Sequence, residues 1–459
     1  MHNIADEITS KVAKIKNFFS LNETKNISYR IDSLKRLKKI IKLKEEEIFD
    51  ALNEDLEKSN FESYITEISL VLKEIDYHIR HLKRWAKPEK RRLPLVLFPS
   101  RGKIIKEPYG VVLIIAPWNY PFQLLFNPLI AAISAGNCAV LKTSPYAPST
   151  AKVMETIIKE SFPENYVTII HGNREVNQLL LAQRFDYIFF TGSPTLGKVV
   201  MEAAAKNLTP VTLELGGKSP CIIDYDANLP LAARRIVWGK TMNAGQTCIA
   251  PDYLFVHKKI KTDFVFEIEK ALIEMFGEKM EESPDYPRII SSIAMQRLLT
   301  YLQSGDIVLG GNYNEDDYFL SLTILENVAE DSPVMRDEIF GPILPLFEFE
   351  TIDEVISFVN KREKPLALYY FSKNEKSIKR VLSETSSGGV CINDTLIHAG
   401  THTLPFGGVG NSGMGRYHGK YGFDTFSHLK SVVTSSSKID FKVKYPPYKE
   451  KLAKFKRFI

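Results

Sequence analysis

The sequence predicts an α/β chain built on a doubly wound parallel sheet, and two observations carry that class. From Gly110 onward VVLIIAP, AVLKT, YVTIIHG and YIFFTGS each precede a helix-like run, so four strand-then-helix units fall within about a hundred residues. Parallel strands need crossovers of that length, usually helical. A second group of strand-like runs, YLFVH, PILPLFEF, ALYYFS and GGVCIND, makes another α/β region between about residues 218 and 425.

The elements follow in order. Three helical patterns open the chain. In the first, Ile8, Val12, Ile15 and Phe19 are spaced four, three and four; in the third, Ile65, Ile68, Leu72, Ile75, Ile79 and Leu82 form one apolar stripe. Pro88, Pro94 and Pro99 then forbid a helix in a basic stretch, read as a solvated loop leading to a projecting hairpin. After the second α/β region, SHLKSVVTSSSKIDFKVKY reads as extended chain that pairs with this hairpin.

At 459 residues the chain has room for two or three domains. Its 44% hydrophobic and 25% charged residues exclude wholesale disorder and coiled coil. The net charge of +5 is small, and much of it lies in a basic C-terminal tail read as solvated, with weak contact to a membrane surface or a polyanion as the lesser alternative. Nothing suggests a nucleic-acid partner. The longest apolar run, VVLIIAPW, falls far short of the ~18 residues of a membrane span. Cys138, Cys221, Cys248 and Cys391 lie far apart without a CxxC, which points to free thiols and a cytoplasmic location.

Several motif fragments lack the context their chemistry needs. GVGNSG at 408 to 413 spells GxGxxG but follows the polar THTLPFG instead of a strand. GGKS at 216 to 219 has Thr212 where a phosphate loop needs glycine. His398 and His402 sit in a Gly- and Thr-rich segment and are read as loop histidines, so no metal site is expected.

Four stretches carry chemistry. In TGSPTLGK, Ser193 suits a helix N-cap and Pro194 the first helical position, so unpaired N–H groups and the positive helix end face an anion such as a dinucleotide phosphate. In VTLELGGKSP, Glu214 ends an apolar strand, where desolvation raises its pKa and suits it to general-base work, although a Glu–Lys pair fits the local sequence equally. In WNYPF, Asn119 offers a side-chain donor at a strand terminus, or else forms an Asx turn. In NAGQTCIAP, Cys248 lies among small polar groups, whereas Cys138 lies in the core-like AGNCAVL; a reactive thiol would need a positive or dipolar neighbour there.

Together PWNYPF, FFTGSPTLGK, LELGGKSP, NAGQTCIAPDY, DEIFGP and LPFGGVGNSGMG resemble the aldehyde dehydrogenase superfamily, in its own order and over essentially the whole chain. APDY, YHGKYGFDTFSH and the YPPY tail resemble its class 3 branch of fatty and aromatic aldehyde dehydrogenases. The resemblance implies that Cys248 attacks an aldehyde, that the Asn119 amide holds the oxyanion, and that Glu214 activates water against the resulting thioester. It implies NAD or NADP as cofactor, with Gly192, Ser193 and Gly197 at the pyrophosphate, Glu338 at the nicotinamide ribose and Phe340 beside the ring. Trp118 and Thr191 would also bind cofactor, and Lys142 would meet the adenosine ribose. Pro145 stands where the family usually has a ribose-binding Glu, which predicts tolerance of NADP.

The implied architecture is a dinucleotide-binding domain over 1–92 and 112–216 and a catalytic domain over 217–425. Oligomerisation strands follow at 93–111 and 426–446, with a basic tail at 447–459, and a homodimer is implied. A coenzyme-A-acylating enzyme is the second enzyme reading, disfavoured by Glu214; a catalytically idle dinucleotide binder is disfavoured by the presence of all three catalytic positions. Tyr120, Phe122 and Ile397 are expected near the aldehyde pocket.

Overall fold

The computed structural model describes residues 2–448 and 451–456, so part of the expected basic tail, residues 449, 450 and 457–459, lies outside the described residues. Six strands form one sheet, in the order Gly413–Met414, Val211–Glu214, Tyr187–Thr191, Val111–Ile115, Cys138–Lys142, Val167–Ile170. All run parallel except the two-residue edge strand. Val111–Ile115, Cys138–Lys142 and Tyr187–Thr191 are buried along their whole length, which is why they read as unbroken apolar runs.

The crossovers are Pro121–Ala135, Pro148–Ser161, Arg174–Leu181 and Pro194–Ala205. Three of them open on proline, whose missing N–H is unpaired in a first turn anyway. From Val111–Ile115 the sheet grows outward through the next two strands, and the chain then returns to add Tyr187–Thr191 on the other side. The order reverses between those two strands, so a ligand crevice is expected beyond their carboxyl ends. Residues 116–119 and 192–197 follow them.

The N-terminal segment covers this sheet with His2–Ser20, Ile27–Leu43, Glu45–Leu56 and Ser69–Trp85, four longer helices where the sequence suggests three. The stripe from Ile65 to Leu82 is not one α-helix. Tyr64–Ile68 is a π-helical turn, and its extra residue per turn carries Glu67 inward, where it is fully buried.

A second, seven-stranded sheet runs Asp306–Leu309, Thr323–Glu326, Ile343–Phe349, Tyr253–His257, Pro220–Ile223, Ala367–Phe371, Gly389–Ile392, parallel save for its first strand. A third sheet is small and antiparallel. Its middle strand Arg101–Pro108 pairs with Glu89–Arg91 on one side and with Ser427–Thr434 on the other. Leu95–Leu97 is a single 3₁₀ turn instead of strand, and Leu95, Phe98, Leu429 and Val433 are exposed.

Candidate active site

The crevice at the reversal point is the mouth of a cavity of about 1140 Å³ between the two large sheets. Trp118, Asn119, Thr191, Gly192, Ser193, Glu214, Cys248, Glu338 and Phe340 line it together. These residues come from five stretches of chain. Gly197 and Lys142 stand outside this lining.

The loop that carries Cys248 follows the helix Leu229–Thr241. Asn243, Ala244 and Gly245 take left-handed backbone in succession, at φ 52°, 51° and 74°, a reversal that turns the chain sharply toward Cys248. A Cβ at Gly245 would lie 2.5 Å from the Gly341 carbonyl oxygen, so the loop touches the segment carrying Glu338 and Phe340. Gln246 locks the reversal. Its Nε2 donates to the carbonyls of Asn243 (3.0 Å) and Arg288 (2.9 Å), and its Oε1 accepts from the Ile290 N–H at 2.9 Å. Thr247 Oγ1 and the Tyr120 hydroxyl are 2.6 Å apart.

Cys248 is half-buried, whereas Cys138, Cys221 and Cys391 are buried on strands. Burial pushes the Cys138 thiol up to about 12, the state of a core-filler. Burial first, then the charges of Glu338 and Glu214, push the Cys248 thiol up as well, offset in part by the N–H groups of Cys248 and Ile249. Of the positive or dipolar neighbour expected, the structure supplies the dipolar kind, the backbone N–H groups. Asn243 and Gln246, read from the sequence as polar company for the thiol, are fully buried and hold the loop.

Asn119 is buried, and its Nδ2 donates to the Gln246 carbonyl at 3.0 Å. A side-chain amide has two N–H donors, so one remains for an oxyanion. Glu214 ends the strand Val211–Glu214 and is buried with no hydrogen-bond partner at either carboxylate oxygen, and burial raises its pKa well above the usual range. No lysine pairs with it among the described residues.

On the wall formed by the next loop, Ser193 caps the helix Pro194–Ala205, and Pro194, Thr195 and Lys198 join it on the cavity wall. Gly192 and Gly197 are required by packing: a Cβ at the first would meet the Phe190 ring at 2.6 Å and at the second the Leu215 side chain at 2.8 Å. The first turn of that helix thus packs at Gly197 against the protein's own Leu215. Thr191 Oγ1 is buried without a partner.

Across the cavity, the Glu338 carboxyl lies over Gly216, where a Cβ would collide with it. Burial and Asp252 raise its pKa well above the usual value, against the pull of Lys218, Lys240 and the Gly217 N–H. Lys218 pairs with Asp252, whose other oxygen accepts the Ile339 N–H at 2.9 Å and so fixes the Glu338 segment. The Phe340 ring meets Trp118 edge-on at 5.4 Å. An anion-ready helix end, an aromatic pair and a half-buried carboxyl beside glycine backbone fit a dinucleotide.

Lys142 is buried at its strand end, its ammonium donating to the carbonyls of Thr143 (2.6 Å) and Gly172 (2.7 Å), and burial lowers its pKa to about 8. Phe122 is fully buried with its ring 4.5 Å from Phe126, while Ile397 is exposed. GVGNSG contributes Gly410 and Asn411 to the lining, and Gly413 pairs with Glu214 at the sheet edge. Residues the sequence did not single out include Lys58, Glu67, Lys218 and Asp252. Lys218 and Asp252 flank the Glu214 and Cys248 motifs, so proximity to a motif was a usable signal for them.

A family model described as "Aldehyde dehydrogenase family" matches residues 3–432. The 4,4'-diaponeurosporen-aldehyde dehydrogenase of Staphylococcus aureus is 49% identical over 453 residues, 98% of this chain and 99% of its own. The "Aldehyde dehydrogenase, dimeric NADP-preferring" of Mus musculus is 44% identical over 447 residues, 97% and 99% of the two chains. A solved structure titled "Substrate bound state of Staphylococcus Aureus AldH" superposes with a TM-score of 0.96 at 49% identity, covering 98% of this chain and 99% of that one.

Proposed function

Because this chain belongs to the aldehyde dehydrogenase family and its reaction is the NAD(P)-dependent oxidation of an aldehyde through a cysteine nucleophile, we propose that Cys248 is that nucleophile, Asn119 its oxyanion donor and Glu214 its base. The observation that carries this assignment is the convergence of the three, 129 positions apart at the extremes (248 − 119), on one cavity wall system. Cys248 Sγ, as the thiolate left once its proton is lost to solvent, attacks the carbonyl carbon, and the oxygen that gains charge is met by the spare Asn119 N–H and the Cys248 backbone N–H. Bound NAD(P)⁺ supplies the hydride acceptor. Glu214 then takes a proton from the water that attacks the thioester, and a carboxylate made more basic by burial is suited to that step.

Gly192, Ser193 and Gly197 would hold the pyrophosphate, with Thr191 beside it; Glu338 would hold the nicotinamide ribose and Trp118 and Phe340 the ring. Lys142 would stand at the adenosine ribose, supported by its place at a strand end on the same sheet edge. Tolerance of NADP is supported by Pro145 in place of a ribose-binding carboxylate and by a relative named NADP-preferring. Turnover confined to NAD would refute it.

The proposed division is 1–92 with 112–216, 217–425, and 93–111 with 426–446, supported by the six-, seven- and three-stranded sheets, most of whose strands fall within those ranges. A homodimer is supported by the open edge of Ser427–Thr434, the exposed Leu429 and Val433, and a relative named dimeric. Four free cysteines support a cytoplasmic setting. No helix among the described residues is long and apolar enough to cross a membrane. The deciding experiment is Cys248→Ser, which should abolish turnover and leave cofactor binding in place. Substrate scope is read from aldehydes of graded chain length; free acid formed without coenzyme A excludes acyl transfer to a thiol.

A further inference from the structure

We infer that Lys58 and Glu67, a pair sealed in the N-terminal helical layer, are positioning residues that set the Asn119 amide against the nucleophile loop. Both side chains are 0% exposed, with Lys58 Nζ 2.8 Å from Glu67 Oε1. The same ammonium donates to the Asn119 carbonyl at 2.8 Å and lies 4.1 Å from the centre of the Tyr120 ring. Glu67 Oε2 in turn accepts the N–H groups of Phe122 (2.9 Å) and Gln123 (3.2 Å), the first turn of the helix Pro121–Ala135. One ion pair therefore grips Asn119 at its own carbonyl and at the helix two residues beyond it.

The other end of the grip is the cysteine loop. Asn243 Nδ2 shares the Asn119 carbonyl at 2.9 Å, and Asn119 Nδ2 donates to the Gln246 carbonyl at 3.0 Å. The Asn243 N–H is itself held by Glu62 Oε1 at 2.8 Å, from the short helix Asn60–Ser63 just before the π-helical turn. The sequence between residues 58 and 67 thus contacts both the donor strand end and the nucleophile loop. A buried ion pair is seldom more stable than a well-packed apolar one, so its use at this point argues for geometry over stability. The π-helical turn that delivers Glu67 argues the same way, since such turns occur mostly at functional sites.

A displacement of about 1 Å in a reacting group costs on the order of 100-fold in rate. The test is a double-mutant cycle on the full-length enzyme with Lys58→Met, Asn119→Ala and the pair. Lys58→Met is expected to lower kcat by about 10- to 100-fold while the KM for NAD(P) stays within about threefold. In the Asn119→Ala background the same change should cost less than about threefold, because the group it positions is gone. If Lys58→Met fails to fold, Asn243→Gly enters the same cycle. It deletes one donor to the Asn119 carbonyl and keeps a residue at ease at φ 52°. Unchanged kcat, or losses that multiply in the double variant, overturn the proposal. The inference rests on Asn119 as oxyanion donor: a silent Asn119→Ala sinks that assignment and the proposal with it. An impaired Asn119→Ala with a multiplying Lys58→Met sinks the positioning role alone.

Discussion

Replacing Glu214 by Gln keeps the shape of the side chain and removes both its basicity and its charge, so two consequences of opposite sign should appear together. Neither carboxylate oxygen has a partner, so the isosteric amide breaks no existing hydrogen bond. Glu338, another carboxyl lining the cavity, is held by the charges of Lys218 and Lys240 and by the Gly217 N–H and is poorly placed to substitute. General-base assistance contributes about 10²- to 10⁴-fold, which at 1.36 kcal/mol per tenfold is about 3 to 5 kcal/mol of barrier. If that assistance acts on thioester hydrolysis, steady-state turnover falls by this factor while the first hydride transfer survives. Rapid-mixing measurements of nicotinamide reduction should then show a burst approaching one equivalent per active site, followed by a slow phase. The Glu214 charge is also one of the causes that raise the Cys248 thiol, so its loss should lower that pKa and move the pH profile of thiol alkylation to lower pH. Retained steady-state turnover, or an alkylation profile that stays in place or moves upward, would refute this reasoning.

Two further outcomes follow from the geometry. Ala244 already holds φ 51°, so left-handed backbone alone is tolerated in the loop; Gly245→Ala adds a Cβ 2.5 Å from the Gly341 oxygen and should cost about 1–3 kcal/mol, read by thermal or denaturant unfolding, along with loss of turnover. Burial lowers the His398 pKa from 6.5 to about 4, so between those values the unfolded chain binds the proton that the folded chain refuses, and stability falls as pH drops through that window by at most about 3 kcal/mol. His398→Phe should flatten the difference, and parallel pH–stability curves for the two proteins would rule the effect out.

Much of the fold and of the site was legible locally. VVLIIAP and YIFFTGS are unbroken apolar runs because their strands are covered on both faces, and the residues after them enter the crevice because parallel strands deliver their carboxyl ends to one edge. Glu214 and Cys248 stood out because a carboxylate at the end of an apolar strand and a thiol in a polar turn are poor fillers. What escaped was whatever depends on partners far along the chain. Lys58 meets Asn119 across 61 positions, and Glu67 reaches Lys58 and the Phe122 N–H only because a π-helical turn interrupts the stripe that periodicity predicted.

The alternation of apolar strands and helices, and the kinds of side chain at each strand end, were determined by the sequence alone, because backbone hydrogen bonding and side-chain burial act over a few residues. Which charges face the thiol was decided only in three dimensions. Glu214 and Glu338 act on Cys248 beside the backbone dipoles where a positive or dipolar neighbour was expected, and the Lys142 ammonium turns to two carbonyls, because electrostatics acts through space between elements that the chain keeps far apart.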